Sequence, residues 1–302
     1  MGGGGRLSLS QKKGKKKMRI AIIGTGNMGG AIVHGLIQSA ACRPEDIICT
    51  AKSESTLQRI RLRYPSSQVT KDNVIAASEA DIIILAVKPW LIQEVINEIR
   101  PVLDYNRQVI ASVAAGVSLD CLMHYLIPDY EEKKTANVIA ETMGMELSDE
   151  NKYVEPALFR VVPNTAVEVM EGVTFIASRG ASDSQCRDMH ALFSCLGYVL
   201  DVGEHLIPAG TALASCGIAF AMRYIRAAME GGVELGFRPS EAARIVEYTV
   251  RGAATLLLDR DAHPEGEIDK VTTAGGITIK GLNAMEKAGF TNAVIEGLKA
   301  SR

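Results

Sequence analysis

Residues 18–29 read MRIAIIGTGNMG, an apolar run that ends in glycines spaced G-x-G-x-x-G and opens onto a helical pattern. Few folds accommodate this combination. An unbroken apolar strand needs cover on both faces, as a parallel strand flanked by helices has. The glycine spacing suits a tight turn into a helix whose free N–H groups and positive dipole end attract phosphate. Gly24 is expected at the tight turn, Gly26 where a pyrophosphate lies against the backbone, and Gly29 where helix and strand come close. Thr25, Asn27 and Met28 complete the turn, with Asn27 expected to cap the helix. A glycine-rich turn without a ligand is the plainer alternative.

The pattern continues as alternating strands and helices. Strands are predicted at 18–23, 46–50, 81–87 and 108–114, and helices at 27–39, at 53–63 and from Pro89, which suits a first helical position. This alternation specifies an α/β, doubly wound parallel sheet with right-handed crossovers. Three more strands are predicted at 158–163, 172–178 and 197–202, with a helix at 182–195. Residues 127–157 are more polar and less periodic, and read as a surface insertion. After residue 203 the strand pattern stops, and helices are predicted at 205–235, 239–260, 277–288 and 290–300. The expected organisation is a disordered leader over 1–17, a dinucleotide-binding domain over 18–204 and an all-helical domain over 205–302.

Charge narrows the partners. The net charge is −2, and without the six cations of residues 1–17 it is −8. Such a body gives no reason to expect nucleic acid or an anionic membrane as partner. The segment MGGGGRLSLSQKKGKKK has no apolar core of a secretory signal, and Met18 is expected to open the fold. The six cysteines show no C-x-x-C pair and sit among apolar neighbours, which predicts buried, reduced thiols in a cytoplasmic protein. The five histidines show no metal-ligand spacing, so no metal site is predicted. The uncharged run 206–222 is short for a membrane span and reads as a buried core or interface helix.

The second strand ends Cys49-Thr50-Ala51-Lys52-Ser53, without the acid that usually meets the ribose hydroxyls of NAD. Lys52 and Ser53 could meet a 2′-phosphate, which favours NADPH, with NADH as the alternative donor. An ordinary solvated lysine explains Lys52 as well. Ala86, Val87, Lys88 and Pro89 end a later strand where ligands collect in open α/β sheets. Ala114-Ala115-Gly116 ends the next, and small residues there leave room for a nicotinamide ring; a plain strand-to-helix turn accounts for them almost equally. Far downstream, Thr272, Thr273, Gly275, Gly276 and Thr278 precede or begin a helix whose N–H groups could bind a carboxylate. A simple helix cap is the competing reading.

Over nearly all of residues 18–300 the chain resembles the pyrroline-5-carboxylate reductase family, the last enzymes of proline synthesis. The resemblance is carried by Ala21–Gly29, Ala86-Val87-Lys88-Pro89, Ala114-Ala115-Gly116, Val162-Pro163-Asn164-Thr165 and above all Asp269–Leu282. It implies a Rossmann-type sheet domain followed by a helical dimerisation domain, and hydride transfer from NAD(P)H to the imine carbon of a five-membered ring. It also implies substrate contacts at Thr272, Thr273, Gly275, Gly276 and Asn164, a catalytic hydroxyl at Thr278, and a homodimer or larger ring. Ala274, Ile218 and Ala166 stand where the family usually has proline. Two other readings remain: a β-hydroxyacid-type dehydrogenase, for which Lys280 is the candidate lysine, and a non-catalytic NADP-sensing protein.

Overall fold

The computed structural model describes residues 18–145 and 154–302. The predicted leader 1–17 and residues 146–153 of the predicted insertion lie outside the described residues. The chain divides into a unit ending at Ile207 and a unit Pro208–Arg302.

The first unit is built on β1 (Ile20–Ile23), α1 (Asn27–Gln38), β2 (Ile47–Thr50), α2 (Glu54–Arg63), β3 (Gln68–Thr70), α3 (Asn73–Glu79), β4 (Ile82–Leu85), α4 (Ile92–Ile99), β5 (Val109–Ser112), α5 (Leu119–Leu126) and α6 (Tyr130–Met143). It continues through β6 (Ala157–Pro163), β7 (Gly172–Arg179), α7 (Asp183–Ser194) and β8 (Gly197–Asp201). The eight strands form one sheet in the order β3-β2-β1-β4-β5-β6-β7-β8. All neighbours are parallel except the antiparallel pair β6–β7. The doubly wound expectation is met. All residues of β1, β2, β4 and β5 are buried, as their apolar runs require. The strand order reverses between β1 and β4, which creates a crevice at their carboxyl ends.

Local departures have local causes. Asn27 does not cap α1: it is the first helical residue, and Gly26 holds the cap position with no side-chain bond. β3 gives no strand signal in the sequence because it has only three residues, none fully buried, at the sheet edge. The predicted insertion contains helix α6. Its inner stripe is Tyr130, Lys133, Asn137 and Ala140, while Val138, Ile139 and Met143 face outward, so apolar periodicity does not reveal it. Arg179 anchors its start, stacking its guanidinium 5.0 Å from the Tyr130 ring centroid. The cysteines are also less uniform than expected. Cys49 is buried, Cys121 is exposed and the other four are half-buried. Burial pushes the Cys42 and Cys49 thiols up to about 12, away from thiolate chemistry.

The second unit is helical. The chain enters it through one continuous helix, Glu204–Glu234, comprising a first turn, α8 (Ile207–Gly210), a π-helical segment Thr211–Cys216 and α9 (Gly217–Glu234). α10 (Pro239–Arg260), α11 (Pro264–Val271), α12 (Ile277–Lys287) and α13 (Phe290–Ala300) follow. α11 is absent from the sequence expectation; at eight residues, with Pro264 at its start, it is too short for a clear periodic signal. Among the described residues of Pro208–Arg302, the only buried hydrophobic side chains are Ala212 and Ala242. Leu213, Met222, Tyr248, Leu258 and Ile277 are more than half exposed.

One packing detail of the first unit is testable. α1 lies so close to the end of β1 that a Cβ at Gly29 would stand 2.3 Å from the Gly24 carbonyl oxygen and 3.1 Å from the Ala86 Cβ. The nearest atom is backbone and cannot swing aside. Gly29→Ala should therefore destabilise the protein by about 1–3 kcal/mol through overpacking. Denaturant unfolding followed by circular dichroism measures this; an unchanged midpoint would contradict the close approach.

Candidate active site

The glycine-rich turn and the end of β4 meet at the switch point. Gly24 has φ +96°, and a Cβ there would lie 2.7 Å from Val87 Cγ1 and 2.9 Å from the Ala86 carbonyl oxygen. Only glycine satisfies both the backbone angle and the contact. The N–H groups of Gly24 and Thr25 donate to the Thr50 carbonyl at 3.1 and 2.8 Å, tying the turn to the end of β2. The ends of β1, β2 and β4 are thereby fixed around one point.

The expected cofactor residues fall into open and buried positions. Gly26 and Asn27 are exposed, and a Cβ at Gly26 would meet nothing within 4 Å, so a ligand can approach the backbone there. Met28 is half-buried and packs against the core. Thr25 has no accessible surface, and its hydroxyl donates to the Thr50 carbonyl at 3.0 Å. It holds the turn in place, and its side chain presents no surface to a cofactor here, a structural role where a cofactor contact was expected. Val87 is half-buried, Lys88 is exposed, and Pro89 opens a helical turn ahead of α4. Ala115 and Gly116 are exposed beyond β5, with Gly116 at φ +78° and nothing within 4 Å of an added Cβ. The turn therefore has the open backbone that a dinucleotide diphosphate needs, and these residues fit such a cofactor.

Lys52 and Ser53 stand exposed beyond β2, and each already has a neighbour. Lys52 Nζ pairs with Glu94 Oε1 at 3.1 Å, and the Ser53 hydroxyl lies 2.6 Å from that of Ser55. Glu54, the nearby acid, is held by Arg61 at 2.7 Å and Lys71 at 3.0 Å, and these cations lower its pKa. Asp46 precedes β2 and pairs with Arg43, away from the turn. A residue that no sequence motif singles out stands closer: Arg59 of α2 reaches the turn, its Nη2 3.5 Å from the Thr25 carbonyl oxygen.

Asn164 is placed otherwise than expected. It is 7% exposed, and its Oδ1 accepts from the backbone N–H groups of Ala166 and Val173 at 3.2 and 3.3 Å. It caps the short helix Thr165–Val169 and braces the β6–β7 hairpin, so its carbonyl oxygen serves the fold.

In the second unit, Thr273 to Gly276 form a reverse turn closed by Gly276 N–H to the Thr273 carbonyl at 2.9 Å, with Gly275 at φ +71°. A positive angle at the third position marks a type II turn, whose second position favours proline but accepts other residues. Ala274 occupies that second position, which explains how the chain tolerates the change. Gly276 caps α12 without a side-chain bond, leaving the first N–H groups of an exposed helix end available to an anion. Thr278 is exposed in this first turn. Thr273 is exposed beside Gly276, whereas Thr272 caps α11 by donating its hydroxyl to the carbonyls of Ile268 and Asp269 at 3.1 and 3.2 Å. That hydroxyl proton is committed to the backbone, so Thr272 is a weaker carboxylate donor than expected. The π-helical segment ends directly before Gly217-Ile218, where Gly217 N–H reaches the Ala212 carbonyl.

Comparison with known proteins bears on both units. Residues 204–302 match the family model described as pyrroline-5-carboxylate reductase dimerisation, and residues 19–116 match that described as NADP oxidoreductase coenzyme F420-dependent. Pyrroline-5-carboxylate reductase 2 of Dictyostelium discoideum is 32% identical over 300 residues, covering 95% of this chain and 92% of the relative. The pyrroline-5-carboxylate reductase of a Synechocystis species is 31% identical over 285 residues, covering 94% and 96%. Among solved structures, a pyrroline-5-carboxylate reductase from Coxiella burnetii superposes with a TM-score of 0.79 at 26% identity, covering 95% of this chain and 96% of that one. A Plasmodium falciparum pyrroline carboxylate reductase with NADP bound gives 0.76 at 22% identity over 95% and 97% of the two chains, which bears on the fold alone. By full-length identity to named relatives, this chain belongs to the pyrroline-5-carboxylate reductase family.

Proposed function

We propose that this chain reduces 1-pyrroline-5-carboxylate to L-proline with a reduced nicotinamide dinucleotide, using NADPH in preference to NADH. Full-length kinship with the family carries the reading. The open glycine-rich turn against Ala86-Val87 supports it independently, because that geometry suits a dinucleotide. The β-hydroxyacid dehydrogenase alternative finds no such support: Lys280 lies exposed on α12 with no feature that singles it out. Purified protein mixed with pyrroline-5-carboxylate and NADPH should lose reduced-cofactor absorbance in step with proline formed. Oxidation of hydroxy acids with NAD and none of the imine reaction would refute the proposal.

The chemistry asks little of a protein acid. A protonated imine is already electrophilic, so the main task is to hold the ring carbon in line. When bound, the reduced nicotinamide supplies a hydride to that carbon. Gly24, Gly26, Asn27 and Gly29 would shape the diphosphate cradle, and Ala86–Pro89 with Ala115 and Gly116 would line the nicotinamide end. The uncapped N-terminus of α12, with Gly275, Gly276 and Thr273 before it, would fix the substrate carboxylate. The Thr278 hydroxyl would hydrogen-bond the ring nitrogen and keep its proton in place. Thr278→Ala should lower turnover by roughly 10–10³-fold if the hydroxyl keeps the ring nitrogen protonated, with NADPH affinity unchanged. Stopped assays plus cofactor titration measure both; full activity would reduce Thr278 to a helix-end residue.

The working form we infer is a homodimer or a larger homo-oligomer in the cytoplasm. A unit with two buried hydrophobic side chains and many exposed large ones needs apolar cover from outside. The helix Glu204–Glu234 is long and apolar enough to cross a membrane by length and composition. Its place in the match to a dimerisation model favours a protein partner, and cysteine usage without C-x-x-C pairing suits the cytoplasm. Light scattering at micromolar concentration should give a multiple of 32.4 kDa. A monomer mass would contradict the shared core.

A further inference from the structure

We propose that Arg59, rather than Lys52, receives the phosphate on the adenosine ribose of NADPH and so sets the preference over NADH. This inference rests on the dinucleotide reading of the glycine-rich turn.

Position comes first. α2 follows β2, and β2 lies beside β1 on the side away from β4. In doubly wound sheets the adenosine ribose sits at the end of this second strand, and an arginine near it accommodates a 2′-phosphate. Leu57 and Ile60 are buried and fix the register of α2 on the sheet. That register carries Arg59 to the rim of a cleft of about 230 Å³ between α1 and α2, together with Gly26, Asn27 and Gly30. Arg63 and Glu168 also line it.

Availability comes second. The only bond Arg59 makes to the turn is the contact to the Thr25 carbonyl at 3.5 Å, the outer limit of a hydrogen bond. The carboxylates around it are engaged elsewhere: Glu54 by Arg61 and Lys71, and Glu168 by Arg63 at 3.9 Å. Among the described residues no carboxylate pairs with Arg59. Lys52 differs, because its ammonium is already paired with Glu94. A guanidinium presents a planar fork of donors suited to two phosphate oxygens, which an ammonium lacks. A fork with free donors at the lip of an open glycine turn is the arrangement a phosphate monoester requires.

The test is calorimetric titration of the full chain with NADPH and, separately, with NADH. Arg59→Ala should raise the NADPH dissociation constant about 10–100-fold, the loss of a charge-assisted contact, and leave NADH within about twofold. Arg59→Lys should fall between. An equal loss for both cofactors would move Arg59 to the shared diphosphate and overturn the assignment. So would no loss, or a selective loss of NADPH in Lys52→Ala alone. Should Arg59→Ala unfold, as thermal denaturation would reveal, the lysine variant gives the same discrimination. The readout is binding, not turnover. A chain that binds NADPH selectively but leaves the imine unreduced would refute the proposed activity and leave Arg59 assigned, whereas a wild type that binds neither cofactor would refute both.

Discussion

The approach of the β1–α1 turn to the end of β4 is the constraint on which the rest of the first unit depends. Gly24 can stand against Ala86 and Val87 only with a left-handed backbone angle and no side chain. Gly29 can close the helix onto the strand only without a Cβ. Thr25 and Thr50 then lock the same turn to β2 from beneath. Together these contacts place the amino end of α1 at the mouth of the crevice, with its backbone open at Gly26. The opening follows from packing: the glycines that let three strands and a helix converge also leave the backbone at Gly26 uncovered.

The second unit obeys a different constraint. Its helices are well formed, with a capping glycine and a left-handed stop before α13 and prolines at the starts of α10 and α11. Local signals therefore settle its secondary structure. Its apolar faces are not matched within 208–302, where Ala212 and Ala242 alone are buried hydrophobic residues. Helices of this kind gain most of their stability from packing an apolar face. A unit that forms helices locally and lacks a core of its own leaves its apolar faces to be covered from outside.

Much of this was legible in the sequence. The buried parallel strands were, because runs such as Ile82–Leu85 have no polar interruption. The steric roles of Gly24 and Gly29 were, because each follows from a steric demand at a fixed place in a strand–turn–helix unit. Short or edge elements were not: β3 has three partly exposed residues, and α6 turns Lys133 and Asn137 inward. Motif reading assigned Thr25, Asn164 and Thr272 to ligands, but each hydroxyl or amide has a backbone partner that no sequence motif displays. Arg59 was invisible for the opposite reason. Its place beside the turn depends on how α2 packs, which spacing from the strand end does not specify.

In the proposed reaction, hydride passes from the cofactor to the imine carbon of the substrate ring. Isotope transfer tests it most directly: NADPH deuterated at the transferable position of nicotinamide C4, incubated with the protein and pyrroline-5-carboxylate, followed by mass analysis of the proline. The expected product is proline with one deuterium, at the former imine carbon. Proline without the label, or cofactor oxidised with no proline formed, would contradict it.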